Sequence, residues 1–318
     1  MHENNKIMLS ICIPTYNHEE YITQALDSVL MQETQYSYEV LVGDDASADD
    51  TQKVLREYEK NHPGKIQVFY REHNLYKQNK SNMLDLIMKS KGKYINVLEG
   101  DDYWIDKNKI EKQITFLEEH PDFIACACNC IVVDEYSKQT DENYPECKTP
   151  EYTLKDYAYD IMPGQLATVM MHNVWQTNEC DYSITTKCLS PGDRLIYFML
   201  LCNGRIFCFQ EKLSAYRHVI HKGSSFSATY KFDFERMKKW HFAQMEYAEK
   251  LKNKNAVNIS KMLYFIMVRY AVRKKFIKLK NGFQSLRHID WNAAILFITL
   301  KRDLHRLKRF KVKGLNSK

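Results

Sequence analysis

The sequence predicts an α/β fold in which a mainly parallel central sheet is flanked by helices and followed by a helical C-terminal extension. Three observations carry that prediction. Across the first hundred residues, short apolar runs rich in Ile and Val alternate with amphipathic stretches of helical spacing. Each run ends in a turn or in acidic residues, with no tight hairpin signal to the next run. Beyond Tyr230 the apolar spacing becomes helical and stays so almost to the end of the chain.

The elements follow in order. Residues 8–13 form a continuous apolar strand stopped by Pro14, and residues 19–32 form a helix with Tyr21/Ile22, Ala25/Leu26 and Val29/Leu30 on one stripe. Residues 38–42 are a second strand, ended by Gly43-Asp44-Asp45. Asp49 or Asp50 caps the next helix, which runs to about Lys60 before the stop signal Pro63-Gly64. A third strand covers 66–70, a helix 80–89, and a fourth strand 94–98. This βαβαβαβ order implies parallel strands with right-handed crossovers, whose ligands bind beyond the C-terminal strand ends. Further on, 110–119 reads as a helix, 123–133 as a strand, and 135–157 as a polar loop with short elements. Residues 166–171 read as a strand and 195–202 as a helix, with two short strands at 206–209 and 213–216.

At 318 residues the chain can build one large domain plus an appendage. The net charge of +6 hides a division: residues 1–228 carry −11 and residues 229–318 carry +17. We therefore divide the chain into a body, 1–228, and a basic, mostly helical extension, 229–318. Nine scattered cysteines and a polar opening, Met1 to Lys6, predict a reduced cytoplasmic setting without a secretory leader. Cys126, Cys128 and Cys130 alternate, which is strand spacing on a buried face and lacks the CxxC spacing of zinc sites. No apolar run reaches the about 18–20 residues of a membrane span.

The chemistry concentrates at one point. Glu99-Gly100-Asp101-Asp102 directly follows the fourth strand, so three carboxylates crowd the end of an apolar run. Such acids repel one another unless a cation lies between them, and their oxygens suit Mg²⁺ or Mn²⁺. A metal at a strand end of an α/β sheet commonly holds a phosphate-bearing ligand.

Several motifs recur in a fixed order: Ser10-Ile11-Cys12-Ile13-Pro14-Thr15-Tyr16-Asn17, Gly43-Asp44-Asp45, Leu98-Glu99-Gly100-Asp101-Asp102-Tyr103-Trp104, Gly192-Asp193 before a helix, and Tyr216-Arg217-His218 followed by Ser224-Ser225. In that order they resemble the inverting glycosyltransferases of family 2, with the GT-A fold, over roughly residues 7–228. The resemblance implies that Tyr16 packs on a nucleotide base while the Pro14–Thr15 backbone reads its edge and Asn17 shapes the turn. It implies that Asp45 accepts from the base, most naturally N3–H of uracil, and that Asp44 orders the loop or contacts the ribose. Glu99 stands where the family pattern Asp-x-Asp-Asp has its first acid, and contacts ribose or acts through water. Asp101 becomes the direct metal ligand, with Gly100 beside it, and Asp102 contacts the donor sugar or anchors the loop. Asp193 takes the place of the catalytic base. Either His218 or His221 fills the family's metal histidine, while Arg217 and Lys80 are placed to meet phosphate oxygens.

The implied partners are a nucleotide-sugar donor, read as a UDP-sugar, and a saccharide or lipid-linked saccharide acceptor. The chief alternative is a catalytically inactive module of the same fold that binds nucleotide or partner. A nucleotidyltransferase would need a glycine-rich basic loop where Pro14-Thr15-Tyr16-Asn17-His18 stands. In the tail, Ala293, Phe297, Leu300, Leu304 and Leu307 recur at helical spacing, with Lys301, Arg302, Arg306, Lys308 and Arg309 on the other face. Two readings stay open there: packing on the body, or attachment to the anionic inner face of the cell membrane. No nucleic-acid reading module is recognisable.

Overall fold

The computed structural model describes residues 6–144, 146–187, 192–219, 231–287, 289–296 and 298–303. Among them lie strands β1 (Leu9–Thr15), β2 (Tyr38–Asp44), β3 (Ile66–Tyr70), β4 (Tyr94–Val97), β5 (Tyr103–Trp104), β6 (Phe123–Val133), β7 (Glu151–Tyr152), β8 (Met170–His172) and β9 (Arg205–Arg217). They form one mixed sheet in the order β3-β2-β1-β4-β8-β6-β9-β5, with β7 beside β9. Strands β1 to β4 are parallel, whereas β8 runs antiparallel to both β4 and β6. The body helices are α1 (Ile22–Leu30), α2 (Thr51–Asn61), α3 (Asn82–Lys89), α4 (Lys109–Glu119), α5 (Leu154–Ala158), α6 (Val174–Thr177), α7 (Ile184–Lys187) and α8 (Gly192–Asn203). The expected α/β sheet with a helical C-terminal part is therefore present.

The apolar runs of β1, β2 and β4 are continuous because both faces of the sheet are covered. Alternation along each strand divides their side chains between two cores. Ile11, Ile13, Val40 and Val42 face α1, α2 and α4, with Leu26, Leu55 and Ile114. Cys12, Leu41, Ile95 and Val97 face the other way, toward α3 and α8, with Leu86, Ile196 and Leu200. Trp240, Tyr247, Ile259, Met262 and Ile295 of the C-terminal helices belong to that second core.

Several elements differ from their sequence reading. Strand β1 runs through Pro14 because Pro14 turns its carbonyl toward Gly100 N–H, beyond the last residue paired with β4, so the missing proline N–H costs no ladder bond. Residues 206–209 and 213–216 belong to a single bulged strand, β9, beside β6. Leu166–Thr168 is a 3-10 turn, held by the Gln165 side chain accepting Ala167 N–H. Asp49, not Asp50, satisfies the start of α2, accepting from both Thr51 N and Thr51 Oγ1. In the tail, Ile295, Thr299 and Arg302 face inward, while Ala293, Leu296 and Leu300 are exposed. Phe297, Leu304 and Leu307 lie outside the described residues.

Gly92 lets the chain leave α3 and enter β4, the strand that carries the acidic cluster. A Cβ there would meet Ser10 N at 2.5 Å and Tyr94 O at 2.8 Å, both main-chain atoms that cannot swing aside. Gly92→Ala should destabilise the protein by about 1–3 kcal/mol, the usual cost of overpacking. A urea melt reads this directly, and an unchanged midpoint would contradict the close approach.

Candidate active site

The C-terminal edge of β1, β2 and β4 gathers the predicted motifs. After β1, Asn17 takes a left-handed φ of 55°, which Asn tolerates better than most residues. Its side chain accepts Ala48 N–H at 2.9 Å, and its own N–H donates to Ser47 Oγ at 2.9 Å. His18 N–H donates to Thr51 Oγ1, and Glu19 N–H to Asp49. The loops after β1 and β2 are thus laced into one unit. Tyr16 is half-buried within it. The carbonyls of Pro14 and Thr15 accept from Gly100 N–H and Asp45 N–H, and so tie the three strand ends together.

Asp44 and Asp45 are both buried. Asp45 Oδ1 accepts Leu75 N–H at 2.6 Å, ordering the turn that leads to α3. Asp44 Oδ2 accepts from Ser47 N and Gln52 Nε2, while its Oδ1 has no partner among the described residues. Lys80 is exposed, two residues ahead of α3, whose N-cap is Ser81.

The acidic cluster is packed against the β1 loop. A Cβ on Gly100 would fall 2.7 Å from Thr15 Oγ1 and 2.9 Å from His18 Nδ1, so only glycine fits that approach. Glu99, Asp101 and Asp102 each bring a carboxylate oxygen within 4.8 Å of the others. Glu99 is open to solvent yet ringed by protein atoms, the condition of a side chain lining a cleft. That desolvation, with the charges of Asp101 and Asp193, holds its carboxyl well above the usual range. Burial also raises Asp102, helped by Asp101 and Glu99 and opposed by Arg217.

Asp102 has both oxygens engaged: Oδ1 accepts Arg217 N–H at 2.7 Å and Oδ2 accepts Gln165 Nε2 at 2.7 Å. It anchors the turn. Asp101 is half-buried and lies 3.9 Å from His18 Nε2, with the other ring nitrogen 3.2 Å from Thr15 Oγ1. His18 follows the strand-one motif by one residue, and sequence reasoning passed over it. Its signal was its place in Tyr16-Asn17-His18, at a strand end already rich in ligand-type residues.

Arg217 is buried beneath the cluster. Nε donates to Asp101 O, Nη1 to Asp134 O and Glu135 O, and Nη2 to Gln24 Oε1 and Ser137 Oγ. All five donors are used within the protein, and the guanidinium stacks 4.5 Å from the Tyr21 ring. His218, half-buried, pairs with Glu142 at 2.6 Å and is not among the ligand-type atoms gathered at the cluster. His221 lies outside the described residues.

Asp193 lies in the first turn of α8, where its Oδ1 accepts Arg194 N–H at 2.7 Å. Crowding by protein raises its pKa, and its charge in turn reaches Glu99. A separate cavity of about 700 Å³, lined by Asp181, Tyr182 and Asn203 among others, opens after β8, at the opposite end of β4. Of its two carboxylates, Asp181 is bound to Lys250 and to Ser183 N–H, and Glu179 lies 3.8 Å from His172.

The donor set fits a hard divalent cation: clustered carboxylates, raised pKa values, and an arginine whose guanidinium donors are all taken by oxygens outside the three carboxylates. Carboxyls whose pKa is raised on folding bind more protons in the folded chain than in the unfolded one. In metal-free buffer, the stability contributed by Glu99 and Asp102 should therefore be greatest below the ordinary carboxylate range and be lost as pH rises through their raised values. Glu99→Gln should flatten that fall. Parallel stability-versus-pH curves for the two proteins would refute the crowding.

Comparison with known proteins agrees with this geometry. The family model described as glycosyl transferase family 2 matches residues 10–174. An uncharacterized protein of Mycobacterium tuberculosis is 29% identical over 213 residues, covering 67% of this chain and 59% of that protein. The putative teichuronic acid biosynthesis glycosyltransferase TuaG of Bacillus subtilis is 35% identical over 119 residues, 36% of this chain and 44% of TuaG. The chain thus spans less than two thirds of these relatives. The crystal structure of S. aureus TarS residues 1–349 in complex with UDP-GlcNAc superposes with a TM-score of 0.60 at 17% identity, over 93% of this chain and 79% of that one. The matched segment carries the β1, β2 and β4 motifs in order, on a sheet of the same fold, and on that ground the chain belongs to glycosyl transferase family 2.

Proposed function

We propose that the protein is a metal-dependent inverting glycosyltransferase. It moves a sugar from a UDP-sugar to a hydroxyl of a saccharide or lipid-linked saccharide in surface-glycan synthesis. One observation carries the reading: the acidic group stands at the end of β4, on the same sheet edge as Asp44 and Asp45, and the charge of Asp193 reaches its Glu99. The UDP donor is supported by the TarS structures in complex with UDP and with UDP-GlcNAc. The acceptor class is supported by the names of TuaG and of the poly(ribitol-phosphate) beta-N-acetylglucosaminyltransferase TarS.

In this reading Tyr16 packs on the base, Asp45 accepts from the base edge, and Asp44 Oδ1, buried and unpartnered among the described residues, accepts from the ribose. Asp45 holds the turn beside it. Glu99 and Asp101 would hold Mn²⁺ or Mg²⁺, with the His18 ring nitrogen at the same edge, and the ion would supply positive charge for the leaving diphosphate. Asp102, Gln165 and Arg217 fix the position of those ligands. Lys80 can swing to the phosphates, and His218 could join only by leaving Glu142.

Asp193 takes the proton of the acceptor hydroxyl as that oxygen attacks C1 from the face opposite the diphosphate. A raised pKa makes it a stronger base than a free carboxylate. No covalent enzyme intermediate is needed, and configuration inverts. A lipid-linked acceptor would place the protein peripherally on the inner face of the cell membrane.

Transfer and hydrolysis assays over a panel of UDP-sugars, with and without Mn²⁺, test this function. Asp193→Asn should keep UDP affinity and lose transfer by on the order of 10²–10⁴. The assignment of the base fails if affinity collapses while turnover survives. Asp101→Ala should abolish transfer and, by calorimetry, remove the Mn²⁺-dependent part of UDP binding. Full turnover of the intact protein in EDTA would end the metal assignment.

A further inference from the structure

The chain from Lys250 to Ile289 contains eleven Lys or Arg and no Asp or Glu. Within it, helices Lys254–Arg273 and Leu279–Leu286 pack as a hairpin through Gly282, where a Cβ would fall 2.6 Å from Val272 Cγ2. The first helix ends at Arg273, and two residues on Lys275 takes a left-handed φ of 61°, ahead of Phe276. Phe276 is 51% exposed, Leu279 61% and Phe283 65%. The Phe276 ring is not isolated: it lies 4.7 Å from Phe232 and 6.1 Å from Tyr270, itself 40% exposed. Around this ridge, Lys274, Lys275, Lys278, Lys280 and Arg287 are all exposed, and none forms an ion pair among the described residues.

Two large exposed aromatics and a leucine inside a field of unpaired cations do not suit solvent. They suit a surface that is anionic outside and apolar just beneath. We propose that the hairpin of residues 254–287 is a membrane-docking surface. Phe276, Leu279 and Phe283 enter the headgroup–acyl boundary of an anionic bilayer, and the lysines meet the lipid phosphates. This deepens the peripheral location above and places the contact here, at a site separate from the tail stripe.

Charge excludes the nearest competitors. Residues 304–318 carry six Lys or Arg and no acid, so they are repelled from this face. A second copy docking the same face would meet like charge. A nucleic acid would satisfy the lysines and leave Phe283 and Leu279 without a role.

Co-sedimentation of the full chain with vesicles of phosphatidylcholine, alone or mixed with phosphatidylglycerol, tests the proposal. The intact protein should pellet with the mixed vesicles, and less so as salt rises. Replacing three exposed lysines together, Lys274→Ser, Lys275→Ser and Lys278→Ser, should weaken partitioning on the order of 100-fold, at about 1 kcal/mol per cation. The pair Leu279→Ser and Phe283→Ser should weaken it at every salt concentration and keep the salt dependence. Melting curves certify the fold of each variant, so the result stands whether or not the UDP-sugar reading holds. Should one variant melt early, Lys278→Glu with Lys280→Glu tests the same face. The proposal is overturned if the intact chain ignores mixed vesicles at low salt, or if the variants bind as it does. It is also overturned if a DNA duplex displaces the vesicles while the Leu279/Phe283 variant binds normally.

Discussion

The carboxylate edge of this molecule depends on one guanidinium. Arg217 stands at the end of β9, yet its five donors reach the turn after β4, the segment after β6 and the side chain of Gln24 in α1. Its backbone N–H also takes one oxygen of Asp102. Three separate stretches of chain are therefore registered against β9 through a single planar group. Its positive charge opposes the crowding at Asp102, while none of its guanidinium donors binds a carboxylate. An arginine is suited to this because its fork is rigid and stays charged when buried. The cluster can then remain open on the side where a ligand would approach.

Much of this was legible in the chain, and the reasons are local. The βαβ alternation needed only periodicity, because buried parallel strands read as unbroken apolar runs. Glu99 and Asp101 stood out because acids crowded directly after such a run have few structural uses, whereas Asp193, which helix capping alone would justify, stood out only through the family motif. What escaped was long-range. The 115 residues between Asp102 and Arg217 hide their contact, so Arg217 read as a phosphate ligand while its donors are bound to carbonyls. His18 was overlooked because a histidine after a turn is common, and only the fold brings it to Asp101. The bulges of β9 interrupt its alternation, which made one strand look like two. The tail misled by its spacing: Ala293 and Leu300 form a tidy stripe, but Ile295, Thr299 and Arg302 are the residues the core takes in.

The electrostatics of the site have a common origin. Glu99, Asp102 and Asp193 all lose solvation; Asp101 and Asp193 raise Glu99 further, and Asp101 and Glu99 raise Asp102. This stored repulsion is a stability cost that an ordinary fold would avoid. It persists because apolar strands on both sides of the sheet hold the edge rigid. The laced loops of Asn17, Ser47, Ala48 and Thr51 stop the strand ends from splaying.

The helices after residue 231 differ from the body in charge, yet Trp240, Tyr247, Met262 and Ile295 complete the same core as Ile196 and Val97. This bears on how such a chain can change over evolutionary time. A segment that merely leaned on the body could be exchanged between relatives by recombination without loss. Here an exchange would also replace one wall of the interior, and most donor segments would leave holes or clashes against α8. Variation in what the extension touches must therefore come through its outward positions, one substitution at a time, while its inner face drifts only in step with the sheet it covers.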